Sequence, residues 1–346
     1  MADGIPAPFA PYAIPWDGPQ LTADEIAFST NAFEWWYFDL ASADGRSLVL
    51  VLSRRNPVFA PGKSAVYVEY HDGASGFKHV RNHPEAAFSW AEGPDGRVLR
   101  VADSQVRLVG DRPETLRYEV TVRTEWLSAD LTLTPEHLGF LPTADGRYFT
   151  HREDPRRFTA VAFAAPLMRG TGTITVGGRT APISGRGYHD HPWGTEQLFA
   201  THHEWNWARA ATPAEGVMFA KVTPAEGFEG ALTFCYRAPM GDFQPTVTAD
   251  LTVEASDWRK DAWNGLRYPH ALTVGVPGMS WRAVSTGALL DTLIYDRSGI
   301  TWTPQAGPAG TGWVEYFHLP TWARGLAAIG ARAQAFFWRR FPWVGQ

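Results

Sequence analysis

The chain has 346 residues, of which 45% are hydrophobic and 19% are charged, so its composition is that of a globular protein and not of a disordered one. Its length suggests two domains, and 31 basic against 36 acidic residues give no indication of the basic surface that a nucleic-acid partner needs. Aromatic residues reach 14%, with 16 Trp, which indicates large β cores or a pocket for a large apolar ligand.

Cysteine content and hydropathy indicate the cellular compartment. Cys235 is the only cysteine, which excludes an internal disulfide and a zinc site built on several thiolates. The first residues lack the basic start and the apolar run of a secretory signal, and no stretch has the length of a membrane span. We therefore expect a cytoplasmic protein.

Residues 1–32 are rich in proline and are predicted to be irregular. Later segments alternate apolar with polar residues or are rich in β-branched residues, and turn formers separate them. Strands are therefore predicted at 47–53, 65–70, 116–123, 129–134, 172–176, 246–253 and 271–276. Because no amphipathic helix pattern precedes residue 320, the fold class is predicted to be all-β, built from antiparallel sandwiches or barrels.

The C-terminal segment, residues 320–346, has a different pattern. Apolar residues recur there at helical spacing, arginines lie on a separate arc, and Pro320 suits the first turn of a helix. This pattern predicts a basic amphipathic helix. Two roles remain open for it: peripheral contact with the inner face of a membrane, and packing across a barrel mouth or a domain interface.

The first cluster of candidate site residues lies at 33–39. In an extended strand, Glu34 and Trp36 share one face, and Trp35 and Tyr37 share the other. A buried carboxyl group beside indole rings must be paired or protonated. Glu34 is therefore a candidate catalytic acid and the aromatic residues are candidate substrate contacts. The alternative is a structural Glu34 held by backbone N–H groups or an arginine.

A second cluster has the same alternation. In an extended strand, Tyr188 and Asp190 point one way, and His189, His191 and Trp193 point the other. Desolvation among aromatic rings raises the pKa of a carboxyl group, and a carboxylic acid that stays protonated near neutral pH is a general acid. Tyr188, Asp190 and His191 are therefore candidate catalytic residues, and His189 and Trp193 are candidate substrate contacts.

A third group follows downstream, where Trp205, Trp207 and Arg209 share one strand face and are candidate substrate contacts. If their strand neighbours that of Asp190, the carboxyl group lies among indole rings. Both Asp190 and Glu34 remain candidates for the acid.

A metal site is a weaker interpretation of the same region. His189-x-His191 with Glu196 resembles half of a cupin-type site, and His202 and His203 add donors. The glycine spacing of the cupin signature and a second half are absent, so we expect no metal and no other cofactor. Serine-hydrolase, P-loop and dinucleotide-binding motifs are also absent.

Together these segments resemble the hydroxyneurosporene synthase (carotenoid 1,2-hydratase) family and its lipocalin-like relatives. The resemblance is carried by an opening motif, a central signature and a closing strand: Glu34-Trp-Trp-Tyr-Phe38, Gly185-x-Gly187-Tyr188-x-Asp190 with Trp205-x-Trp207-Ala208-Arg209, and Trp313-Val-Glu315-Tyr316.

The resemblance implies two lipocalin-like antiparallel β-barrel or sandwich domains, which we place at 33–165 and 166–319, with a pocket at or near their interface. The family's acidic residue falls on Asp190, with Tyr188 beside it. Pro192 stands where carotenoid hydratases have Asn. The resemblance therefore predicts the fold more closely than it predicts the reaction.

The resemblance also implies cofactor-free chemistry on a long apolar small molecule, often an isoprenoid. We predict that Asp190 protonates an alkene, that aromatic faces stabilise the cation, and that water or a second alkene traps it, which gives a hydratase or a cyclase. Tyr188 or a histidine would orient the acid or the water. The alternatives are a pericyclase or isomerase of a polyene, and a non-catalytic carrier of lipophilic ligands.

Overall fold

The computed structural model describes residues 5–56, 62–94, 96–260, 267–291, 295–318 and 343–345. Almost all regular structure in these residues is β-strand, and the strand pairs described below run antiparallel. The prediction of an all-β fold is therefore confirmed.

The strands are short in the N-terminal half and longest near the middle of the chain. The first group comprises β1 Ala10–Pro11, β2 Phe33–Ser42, β3 Ser47–Arg55, β4 Lys63–His71, β5 Gly76–Pro84, β6 Phe88–Gly93, β7 Gly96–Val101, β8 Ser104–Val109, β9 Arg117–Arg123, β10 Leu127–Pro135, β11 Phe140–Leu141, β12 Arg147–His151, β13 Phe158–Val176 and β14 Arg179–Gly194. The second group comprises β15 His202–Ala211, β16 Glu215–Pro224, β17 Phe228–Glu229, β18 Leu232–Pro239, β19 Thr246–Thr248, β20 Thr252–Lys260, β21 Arg267–Val276, β22 Met279–Asp291, β23 Tyr295–Pro304, β24 Gly310–His318 and β25 Trp343–Gly345.

Helices are few and short in the described residues. The α-helices are α1 Ala23–Phe28 and α2 Leu198–Thr201, and 3-10 turns lie at Ile14–Asp17, Glu85–Ala87 and Pro113–Thr115. None of the helices in this part of the chain has the length and hydropathy of a membrane-spanning segment.

The chain divides into two compact units, each built from separate stretches of sequence. The N-terminal unit comprises Pro11–Leu141, Arg156–Gln197 and Ala331–Gln346. The C-terminal unit comprises Met1–Ala10, Pro142–Pro155 and Leu198–Gly330.

The N-terminal unit contains one long sheet with the strand order β25-β5-β4-β3-β2-β14-β13-β10-β9-β8-β7-β6. Strands β13 and β14 pair over most of their length, from Thr159 opposite Gly194 to Val176 opposite Arg179, with two register shifts. On its other edge β14 pairs with β2, so the two motif-bearing strands lie side by side.

The C-terminal unit contains a second sheet with the order β19-β18-β16-β15-β24-β23-β22-β21-β20. One face of this sheet forms an apolar cluster that includes Phe219, Trp281, Trp302 and Cys235. Burial raises the pKa of the Cys235 thiol to about 12, as befits a packing residue.

The observed elements differ from the sequence prediction mainly in two places. The N-terminal segment 1–32 is not wholly irregular, because Thr22 and Glu25 form a capping box that begins helix α1. The strand predicted at 246–253 is two strands, β19 and β20, that lie on opposite edges of the sheet. The other predicted strands fall within observed ones, except that β9 begins at Arg117, one residue after its predicted start.

The two units do not divide the chain at 165/166, and most of the C-terminal segment lies outside the described residues. A boundary between 165 and 166 falls inside β13, whereas the chain passes from one unit to the other at 141/142, 155/156 and 197/198. The helix predicted over 320–346 lies outside the described residues, apart from 343–345, which form strand β25 against β5.

Candidate active site

The central signature places its two polar residues on one face of β14. In the pairing with β2, Tyr188 lies opposite Asp39, and Asp190 lies opposite Tyr37. The Tyr188 hydroxyl donates a hydrogen bond of 2.6 Å to Oδ2 of Asp190. Tyr188 is buried and Asp190 is half-buried, and the Tyr37 ring meets the Tyr188 ring edge-on at 5.9 Å between centroids.

The same face continues across β3 and β4 without a break in register. Two rows of residues cross the four strands there, and we call them together the tyrosine–acid face. The rows are Tyr188–Asp39–Val49–Glu69 and Asp190–Tyr37–Val51–Tyr67, each written from β14 to β4.

Two glycines of the signature explain how closely β14 approaches β2. A Cβ atom at Gly187 would clash with the backbone carbonyl oxygen of Asp39, and one at Gly185 would clash with that of Ala41. The signature glycines are therefore needed for backbone approach, beside the tyrosine–acid pair.

The opposite face of β14 holds His189, which is fully buried against Asp17 from the 3-10 turn. His189 Nε2 lies 2.9 Å from Asp17 Oδ1, and Nδ1 lies 2.8 Å from the Tyr37 carbonyl oxygen. Because both ring nitrogens face acceptors, the ring has the hydrogen-bonding pattern of an imidazolium.

Asp17 is held in its charged form by its surroundings. Burial works to raise its pKa, but the charge and hydrogen bond of His189 and the hydroxyl groups of Tyr12 and Tyr118 together lower it below the usual value. Tyr118 donates at 2.7 Å, and Tyr12 donates to the same oxygen. The Asp17 site is therefore a satisfied ion pair in the core.

His191, two residues after His189 on the same face of β14, lies beside the buried carboxylate of Glu34 in a similar way. His191 Nδ1 contacts the Trp16 carbonyl oxygen at 2.6 Å, and Nε2 lies 3.3 Å from Glu34 Oε1. The same carboxylate oxygen accepts the Gln20 backbone N–H at 2.5 Å, and Arg54 Nη1 lies 3.4 Å from Oε2. Glu34 thus has the backbone and arginine partners of a structural carboxylate.

The predicted site residues of the two strands therefore separate into two groups. Tyr188, Asp190 and Tyr37 come together on the tyrosine–acid face. Trp36 and Trp193 lie with the core histidines: the Trp36 ring stacks on His191 at 4.3 Å and donates Nε1–H to the Asp17 carbonyl, and Trp193 stacks on Trp16. Trp35, half-buried, contacts Phe33 at 4.6 Å between ring centroids.

The condition that would place Asp190 among the indole rings of the Trp205 strand is not met. Strand β15 pairs with β16 and β24 in the C-terminal unit, whereas β14 pairs with β13 and β2. The physical reason is that α2 and the turn before it carry the chain into a different sheet.

Within its own sheet, β15 presents an aromatic and cationic face. Trp205 stacks on Phe317 at 4.1 Å, and the buried Arg209 guanidinium lies 4.7 Å from the centre of the Trp313 ring. Arg297 approaches that same ring at 5.3 Å, so one indole is flanked by two guanidinium groups.

Among the residues that the structure describes, no cluster of histidine, cysteine and acidic side chains could hold a metal ion. Burial lowers the pKa of His202 to about 3, so its ring is neutral. Its nitrogens contact the Leu198 carbonyl at 3.0 Å and the Tyr148 hydroxyl at 3.0 Å, which is a structural role.

The sequence analysis missed Asp17, Tyr67 and Glu69. Asp17 lies in a proline-rich segment without periodicity, which offers no signal. The Tyr67-x-Glu69 spacing, in contrast, repeats the Tyr188-x-Asp190 spacing on another strand, and comparing the two motifs could have identified it.

Comparisons with known proteins agree with this architecture. The family described as AttH-like matches residues 68–294. No curated protein is similar enough to match the sequence.

Solved structures share the fold at low sequence identity. A crystal structure described as AttH from Nitrosomonas europaea has a TM-score of 0.58 at 19% identity, covering 87% of this chain and 98% of the other. Kievitone hydratase from Nectria haematococca has a TM-score of 0.56 at 13% identity, covering 90% of this chain and 98% of that one. CghA with Sch210972 has a TM-score of 0.57 at 12% identity, covering 84% and 89% of the two chains. The predicted lipocalin-like β architecture is confirmed.

Proposed function

Because this chain belongs to the AttH-like family, we propose that it is an enzyme that protonates an apolar alkene and adds water to the cation or closes it into a ring. The observation that carries the proposal is the hydrogen bond from the buried Tyr188 to the half-buried Asp190, beside the Tyr37 ring. The similarity to a kievitone hydratase supports a hydration reaction on such a scaffold.

Asp190 is the proton donor in this scheme. Its Oδ2 accepts the Tyr188 hydrogen bond, so the proton to be transferred is carried by Oδ1. The acid O–H bond breaks as the new C–H bond forms at one alkene carbon, and the positive charge develops on the other carbon. Tyr188 orients the carboxyl group and keeps its plane fixed on the strand.

The cation is then consumed without a change in oxidation state. Aromatic faces such as that of Tyr37 stabilise it, by about 0.5–2 kcal/mol each. In hydration, a water oxygen bonds to the cationic carbon and its proton returns to the Asp190 carboxylate. In cyclisation, a second double bond of the same molecule supplies the electron pair, and loss of a proton to Asp190 restores the acid.

A pericyclase or isomerase is the second candidate. The three tyrosine rings of the tyrosine–acid face favour it, because they would confine a polyene and donate hydrogen bonds without proton transfer. The scaffold similarity to CghA is compatible with either reaction.

The test is a mass-resolved assay of the full chain with acyclic isoprenoids and polyenes, for wild type, Asp190→Asn and Tyr188→Phe. We expect a product heavier by one water, or of unchanged mass after cyclisation, that is lost in Asp190→Asn and reduced in Tyr188→Phe. Asp130→Asn is the matched control, because Asp130 is an exposed partner of Arg123 in the same unit.

Two outcomes would favour another candidate over the acid mechanism. A fully active Asp190→Asn enzyme with a product of unchanged mass would replace the acid mechanism with pericyclic or isomerase chemistry. Tight binding of the whole panel with no product from any member would identify a carrier. Normal unfolding midpoints of both variants are required for either conclusion.

A further inference from the structure

The tyrosine–acid face contains one motif three times. A tyrosine is followed two residues later by an acid on three of its four strands: Tyr37-x-Asp39 on β2, Tyr67-x-Glu69 on β4 and Tyr188-x-Asp190 on β14. Alternate residues of a strand share a face, and the strand register places all three motifs on the same side of the sheet.

The β4 pair repeats the geometry of the β14 pair. The Tyr67 hydroxyl donates to Glu69 Oε2 at 2.8 Å, and both side chains are buried. Lys78, also buried, lies directly opposite Glu69 on β5, where a cross-strand pair of opposite charge is favourable. This end of the face therefore combines a hydroxyl group and a carboxylate, with a lysine at the opposing position of the neighbouring strand.

The surface between the two pairs is partly apolar. Val49 and Val51 of β3, both buried, lie beside the β4 pair, and the Tyr37 ring lies beside the β14 pair. Strands β14 and β4 are three strand spacings apart, about 14 Å. The two polar pairs are thus too far apart to act on one bond, and a chain of apolar atoms could span them.

We propose that the Tyr67–Glu69 pair binds a hydroxyl group at the far end of the substrate whose alkene reacts at Asp190. The inference rests on the proposed function, which it extends from an apolar alkene to an alcohol with a long apolar chain. A carboxylate is an acceptor only, so it selects a ligand that donates a hydrogen bond. Because the Glu69 carboxylate is itself an acceptor with negative charge, a neutral hydroxyl group fits this end better than an anion does.

The experiment compares two probes that differ only in the donor: farnesol, an acyclic isoprenoid alcohol, and farnesyl methyl ether. Their dissociation constants are measured by quenching of tryptophan fluorescence with the full chain, and kcat/KM is measured for any product. We expect wild type to prefer the alcohol at least about tenfold, the effect of one hydrogen bond to a charged group. Tyr67→Phe and Glu69→Gln should lose that preference and keep the affinity for the ether.

Tyr70→Phe is the matched control, since Tyr70 lies on the same strand but on its other face, and it should keep the preference. Thermal unfolding of each variant identifies any that fails to fold, and Tyr67→Phe and Glu69→Gln test the pair independently. Wild type that binds both probes equally, or binds neither, overturns the inference, as does a Glu69→Gln variant with an unchanged preference.

Asp190→Asn separates this inference from the proposed function. If it abolishes turnover while the preference for the alcohol is missing in wild type, the acid mechanism stands and the hydroxyl site does not. If it retains turnover while Glu69→Gln removes the preference, the hydroxyl site stands and the acid mechanism does not.

Discussion

His189 Nε2 lies 2.9 Å from Asp17 Oδ1, and both side chains are fully buried. His189 directly precedes Asp190 in β14, so this ion pair holds the strand from its core side while the neighbouring residue points to the tyrosine–acid face. The N-terminal segment before β2 therefore fixes the strand that carries the proposed acid.

Replacing Asp17 by Asn is expected to destabilise the fold strongly. The change removes the carboxylate charge that accepts hydrogen bonds from His189 and from two tyrosine hydroxyl groups, and breaking a buried pair by removing one partner costs about 3–5 kcal/mol. Chemical denaturation would measure the loss. Asp130→Asn breaks an exposed pair with Arg123 and should change the free energy of unfolding by at most about 1 kcal/mol. Equal effects of the two variants would contradict the core role of Asp17.

Glu34→Gln is expected to lose stability, and Asp190→Asn is expected to lose activity. Glu34 is fully buried on the core side and is held by the Gln20 backbone N–H, so Glu34→Gln should lower the unfolding midpoint and leave kcat near wild type. Asp190→Asn should abolish turnover and leave the midpoint nearly unchanged. Parallel thermal and product assays on both variants decide this. A stable, inactive Glu34→Gln enzyme would make Glu34 the acid instead.

Local patterns in the sequence were sufficient for much of the fold. Period-two alternation correctly separated Tyr188 and Asp190 from His189 and His191, because strand geometry alone determines which side chains share a face. The all-β class followed from the same alternation and from the turn residues between strands.

Long-range pairing could not be derived in this way. That β14 pairs with β2 and not with β15 depends on contacts between segments about 150 residues apart, on which local periodicity carries no information. The same limit hid Asp17, whose role exists only once His189 and Tyr118 are folded around it.

Gly187→Ala is expected to reduce both stability and turnover. The added Cβ would meet the Asp39 carbonyl oxygen and push β2 away from β14 beside the Tyr188–Asp190 pair, with a cost of about 1–3 kcal/mol. Gly93→Ala is the control, because a Cβ there meets nothing. An unchanged unfolding midpoint for Gly187→Ala would show that the strands can separate without penalty.

Cys235 is expected to resist alkylation in the native protein. Burial raises its pKa to about 12, and the reactive thiolate is therefore scarce at pH 8. Mass spectrometry after iodoacetamide treatment should find the thiol unmodified in the native state and modified in urea. Rapid modification of the native protein would contradict the packing role.

The free energy of unfolding is expected to fall in mild acid because of His202. Its folded pKa of about 3 lies below the usual value of 6.5, mainly through burial, so the unfolded state binds the proton first. The stabilisation is complete above about pH 6.5 and is lost by about 1.4 kcal/mol per pH unit as the pH falls toward 3. Urea denaturation between pH 7.5 and 4.5 should show a shallower dependence in His202→Gln, which cannot titrate. The comparison uses the slope of the free energy of unfolding against pH, so a destabilisation of the variant that is equal at every pH does not affect it. Equal slopes for wild type and variant would mean that the His202 ring is already protonated in the folded protein.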